Sequence, residues 1–180
     1  MATPRDIRRV ALLALYQLDA TAASSTQDFE RVRQTLNDLG SLAEEGLTFV
    51  ESGESFRVAE LNRAFEAASG AWRARDAADA ELRELAPEWP ASRMPAVDRA
   101  ILRLARYEIE RGENPPKAIV NEAVELAKAF STEKSPAFVN GLLGRVLARV
   151  TAPAGAPSQS AAPIQAVSPA PSDVSPDREP

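Results

Sequence analysis

The chain has neither cysteine nor histidine in 180 residues. Without them there is no thiolate or imidazole to ligate a metal, and Cys- or His-based nucleophile chemistry is excluded. The lack of cysteine also fits a reducing cytosol. Long apolar runs are missing too. No segment approaches the ~18 apolar residues of a spanning helix, and Met1-Ala-Thr-Pro-Arg-Asp has no apolar signal core. These absences predict a soluble, cytoplasmic protein without a membrane partner. Strand-like alternation is absent, as is any internal repeat, so an all-α fold is expected.

An excess of positive charge is also lacking. The net charge is −5, which argues against bulk, non-specific binding of nucleic acid. Its distribution says more. Residues 1–20 sum to +1, 21–90 to −7, 91–150 to +3 and 151–180 to −2. Any RNA surface should therefore come from the first helix and the C-terminal third.

Composition changes after Val150. Residues 151–180 hold seven of the fourteen prolines, with many Ala and Ser. Such a segment cannot bury enough apolar surface to offset its ordering entropy, which predicts a disordered tail after a domain of residues 1–150. Within that domain, helices are expected over 4–18, 28–39, 56–86 (with a break near Gly70), 95–111, 115–130 and 135–150. Thr3 and Asp6 read as a capping pair around Pro4. Gly40 reads as a helix stop, 41–53 as loop, and Ser135-Pro136 as an N-cap followed by a first-turn proline. Short loops between the last three helices imply a compact antiparallel bundle.

Projected at 100° per residue, the first helix has two faces. Ile7, Val10, Ala11, Ala14, Leu15 and Leu18 form a core stripe. Arg5, Arg9, Leu12 and Tyr16 lie opposite, and Arg8 borders the apolar side. Guanidinium groups pair with phosphate and a phenol ring offers a stacking platform, so this outward face suits single-stranded RNA. A plain solvated face, with Tyr16 packed on a neighbour, fits the same pattern.

Four strings follow one another along the chain: Arg8-x-x-Ala11-x-x-Ala14-Leu15-Tyr16, the segment Asp98 to Glu108 (DRAILRLARYE), the segment Val120 to Lys128 (VNEAVELAK), and Phe138 to Leu143 (FVNGLL). Pro87-Glu88-Trp89 with Arg93 precedes the second. In order and spacing the set resembles the NusB family of transcription antitermination factors, over about residues 5–150. The resemblance implies a helical bundle of two small subdomains with no catalytic residue, cofactor or metal. It further implies binding of the boxA element of ribosomal RNA leaders together with NusE, a small-subunit ribosomal protein. That complex acts on the transcription elongation complex, helping RNA polymerase read through termination signals.

Carried over by position, Arg8 and Tyr16 resemble the family's RNA contacts in the first helix, and Arg5 and Arg9 extend that face. Phe138 resembles the aromatic at the start of the last helix, a base-stacking residue or a core Phe. Lys134 stands where relatives often have an acid and adds phosphate attraction. Asp6 and Leu13 depart from the usual basic and Gln positions, which predicts weak RNA affinity for the chain alone. Asp98 is assigned to the ribosomal-protein interface. Arg103 and Glu122 are assigned to structural pairing. Gly141 is assigned to close approach between helices.

Two other readings remain open. One is a helical protein-interaction module that does not bind RNA. The other is a NusB-like domain detached from a ribosomal RNA cytosine methyltransferase, whose Gly-rich cofactor domain is not in the sequence.

Overall fold

The computed structural model of the protein describes residues 2–44 and 56–151. Among them are α1 (Pro4–Ala20), α2 (Thr26–Glu44), α3 (Val58–Arg73), α4 (Arg75–Leu85), a 3-10 turn (Ala91–Arg93), α5 (Ala96–Arg111), α6 (Pro116–Phe130) and α7 (Ser135–Thr151). The described residues contain no strand. The expected loop over 41–53 falls largely outside them, as does the tail beyond Thr151.

Helix α1 starts where the sequence says it should. Thr3 Oγ1 accepts from the Asp6 amide at 3.1 Å, and the Asp6 carboxylate accepts from the Thr3 amide at 2.9 Å. Gly112 closes α5 at φ 66°, a left-handed conformation that costs glycine little. Three expectations need correction. Helix α2 runs through Gly40 to Glu44. The break in the third helical stretch lies at Ala74, not Gly70. Ser135 is the first residue of α7 rather than the residue before it, and its hydroxyl donates to Asp98.

Gly70 has a different purpose. A Cβ there would sit 2.2 Å from Tyr107 Oη, so only glycine lets the Tyr107 ring lie on the α3 backbone. Gly141, assigned above to such a close approach, is exposed on α7.

Helices α1, α2 and α3 pack together, and α6 pairs with α7. The two groups meet on α5, which contacts α1, α3, α4, α6 and α7. One continuous apolar core results. The core stripe of α1 is as expected, with Val10, Ala11, Ala14, Leu15 and Leu18 buried. On α6, Ile119, Ala123, Leu126 and Ala127 are buried, and on α7, Val139, Leu142, Leu143 and Val146. Burying such aliphatic side chains contributes roughly 1.5–3 kcal/mol each. Val150, near the end of α7, is exposed.

Candidate nucleic-acid interface

The basic residues of α1 are positioned by its N-terminal turns, but none of the three arginines points into open solvent. Arg5 donates from Nε to Glu122 Oε2 at 3.0 Å and from Nη2 to Oε1 at 2.9 Å. Arg8 Nε donates to the two Glu108 oxygens at 2.9 and 3.1 Å. Arg9 is 7% exposed, with its guanidinium 5.7 Å from the Phe130 ring centroid and 4.0 Å from Asp6. Leu12 is 5% exposed. The expected outward face is therefore covered at its centre. The reason is that α1 packs on α2, α3 and α5 and also reaches side chains of α6. A helix with so many neighbours buries more than one stripe. Tyr16 does stand out, at 41% exposure. It lies about 16 Å along the axis from Arg5 by helical rise.

The two acids on these arginines sit in different surroundings. Burial pushes the Glu108 carboxyl above its usual range, against the opposing pull of Arg8. Hydrogen bonds from Arg5 hold Glu122 below its usual range. Glu122 therefore stays charged at neutral pH.

Between the start of α1 and the end of α6 lies a hollow of about 160 Å³, lined by Arg5, Arg9, Glu125, Leu126, Lys128 and Ala129. Lys128 was not singled out in the sequence, although a basic residue in the last turn of a helix beside the first-helix arginines was a usable signal. It pairs with Glu125 at 2.7 Å.

From this hollow the chain leads directly to the second predicted patch. Phe130, under Arg9, ends α6. The turn that follows is fastened by Asp98, which is 3% exposed. Ser131 Oγ donates to its Oδ1 at 2.6 Å and Ser135 Oγ to its Oδ2 at 2.8 Å. Asp98, assigned from sequence to the ribosomal-protein interface, thus fastens this turn with both of its oxygens. Lys134 is exposed on this turn. Phe138 is half-buried in the first turns of α7 and meets Trp89 edge-on at 6.4 Å. The exposed Arg93 lies 5.8 Å over the Trp89 ring. The structure thus brings Arg5 and Arg9 together at the hollow, with Arg9 over Phe130, while Lys134 lies on the following turn and Phe138 packs on Trp89 in the first turns of α7. Arg8 is tied to α5, and Tyr16 lies further along α1.

Arg103 is the structural residue it was expected to be. It is bonded to Asp79 at 2.9 and 2.7 Å and to Asp19 at 3.0 Å. Arg99 also holds Asp19. Nothing in the local sequence spacing pointed to Asp19 or Asp79. Among the described residues no cluster of acidic side chains could hold a metal, and no helix is long and apolar enough to cross a membrane.

The pattern of the NusB family matches residues 5–148. The chain belongs to the NusB family. The transcription antitermination protein NusB of Roseiflexus sp. (strain RS-1) is 43% identical over 148 residues, spanning 81% of this chain and 92% of the relative. Among solved structures, T. maritima NusB shares 27% identity with a TM-score of 0.61, over 81% of this chain and 92% of its own. A crystal structure of antitermination factors NusB and NusE in complex with dsRNA matches 79% of this chain and 93% of the matched chain, with a TM-score of 0.58. At 22% identity that likeness speaks for a shared fold. NusB proteins are named as antitermination factors and not as enzymes, and the seven α-helices of the described residues share the fold of T. maritima NusB.

Proposed function

We propose that this NusB-family chain is a transcription antitermination factor in the cytoplasm. It binds boxA RNA of ribosomal RNA leaders together with NusE and promotes read-through by the elongation complex. The observation that carries this reading is Arg9 lying over the Phe130 ring beside Arg5, just before the turn that bears the exposed Lys134 and leads to Phe138; cations suit phosphate and ring faces suit bases. Arg8 and Tyr16 extend this set along α1. Asp98 contributes indirectly, by fixing the turn that carries Lys134.

A titration of boxA RNA by fluorescence anisotropy, with and without NusE, tests the reading. The chain alone should bind weakly, and less as salt is added. NusE should tighten the binding, because two ligands that favour one assembled surface assist each other. The pairing of Arg5 and Arg8 with acids favours the protein-only module as second reading. Binding of NusE with no RNA affinity in either arm would decide for it.

A further inference from the structure

The sequence supplies Arg5 as a phosphate contact, and the structure sets two of its donor nitrogens on a carboxylate. Nε and Nη2 each meet one oxygen of Glu122, at 3.0 and 2.9 Å. This is the two-pronged geometry in which a guanidinium takes two oxygens of a phosphate. Arg5 lines the hollow together with Arg9, Glu125 and Lys128, and the side chains of the pair are 40% and 24% exposed. The pair is therefore open to exchange, unlike Arg8 and Glu108, whose side chains are 13% and 18% exposed.

We propose that Glu122 is a built-in competitor for the RNA backbone: it occupies Arg5 in place of phosphate and so sets how tightly the chain holds RNA. The proposal rests on the RNA reading above. Two physical consequences follow. A phosphate arriving at Arg5 must displace a carboxylate that remains charged nearby. Also, an arginine that stays paired with Glu122 neutralises no phosphate and so frees none of the counter-ions condensed on the RNA, and Arg5 contributes little to the salt dependence of the wild-type chain.

The test uses the full chain and its Glu122→Gln, Arg5→Ala and double variants, titrated with boxA RNA at several salt concentrations. Glu122→Gln should tighten binding roughly two- to fivefold, the scale of an exposed ion pair. It should also steepen the salt slope by about one. Both gains should vanish when Arg5 is already Ala. If Glu122→Gln weakens binding or leaves it unchanged while Arg5→Ala weakens it, Glu122 positions Arg5 and the proposal is overturned. A second probe separates this from failure of the RNA reading. Inorganic pyrophosphate is titrated while the Arg5 Nε–H resonance is followed by NMR. Should no RNA bind, a shift at lower pyrophosphate in Glu122→Gln than in wild type still supports the competitor. Equal response overturns it.

Discussion

Two clusters of ion pairs flank α1, and they use the same chemistry to different ends. In one, Arg99 and Arg103 of α5 hold Asp19 of α1, and Arg103 also holds Asp79 of α4. The Arg103 side chain there is 6% exposed and lies 5.5 Å over the Trp72 ring. In the other, the polarity is reversed. The arginines, Arg5 and Arg8, belong to α1, and the acids, Glu122 and Glu108, belong to α6 and α5. Here exposure rises to 40% at Arg5. A desolvated pair can exchange partners only by unfolding its surroundings, whereas a rim pair can trade a carboxylate for a phosphate. Residue type alone does not separate a fastener from a binding residue; depth does.

The largest expected effect falls on the deep cluster. Arg103→Ala leaves Asp19 and Asp79 short of their partner in a buried setting and should cost ~3–5 kcal/mol in urea unfolding. RNA affinity per folded molecule should stay as it was. A loss below ~1 kcal/mol would put the deep cluster on a par with the rim pair and erase the contrast.

Arg8→Ala should fall between the clusters, because its partner is partly buried. A stability loss of ~1–3 kcal/mol is expected from stranding Glu108, together with weaker RNA binding. The pH dependence sharpens this. Burial raises the Glu108 pKa in the folded state, so its contribution is full below the usual carboxyl range and is lost as pH rises through the folded pKa. Glu122 is shifted down, so its contribution is present above that range and is lost as pH falls through the folded pKa. Urea unfolding of Glu108→Gln and Glu122→Gln from acid to neutral pH should therefore show opposite trends relative to wild type. Parallel trends would mean that the two acids share one environment.

Much of the fold was legible because it is locally encoded. The capping pair of Thr3 and Asp6 and the core stripe of α1 both depend on residues within a few positions of each other. The α3–α4 break at Ala74 was not legible, since an Ala- and Arg-rich stretch without Gly or Pro carries no stop signal. The site was legible in residue types but not in their state. A helical projection assigns one face inward. It cannot register that α2, α3 and α5 surround α1 and bury Arg9 and Leu12 as well. Nor can spacing announce that Arg5 meets Glu122, 117 residues away. Nor does spacing show that Ser131 and Ser135, more than 30 residues on, donate to Asp98.

Tyr16 belongs to neither cluster and provides an exposed control. Tyr16→Ala should change stability by no more than about 0.5 kcal/mol and cost ~1–3 kcal/mol of RNA affinity if a base stacks there. Unfolding loss on the ~3–5 kcal/mol scale of a buried aromatic, with unchanged RNA binding, would move Tyr16 into the core. The smallest effect is expected from removing residues 152–180, whose composition offers little apolar surface to bury. The thermal midpoint and boxA affinity should both be unchanged, and a lowered midpoint would contradict this.

The central claim is that the rim arginines and the α6–α7 turn form one RNA surface while the deep cluster only holds the fold. Backbone amide shifts on adding boxA RNA to the NusE-bound chain test it most directly. The account predicts that shifts concentrate in residues 5–16 and 128–138, with Asp79, Arg99 and Arg103 quiet. Shifts centred on α2, α3 and α4, with the α1 start and the α6–α7 turn unmoved, would contradict it.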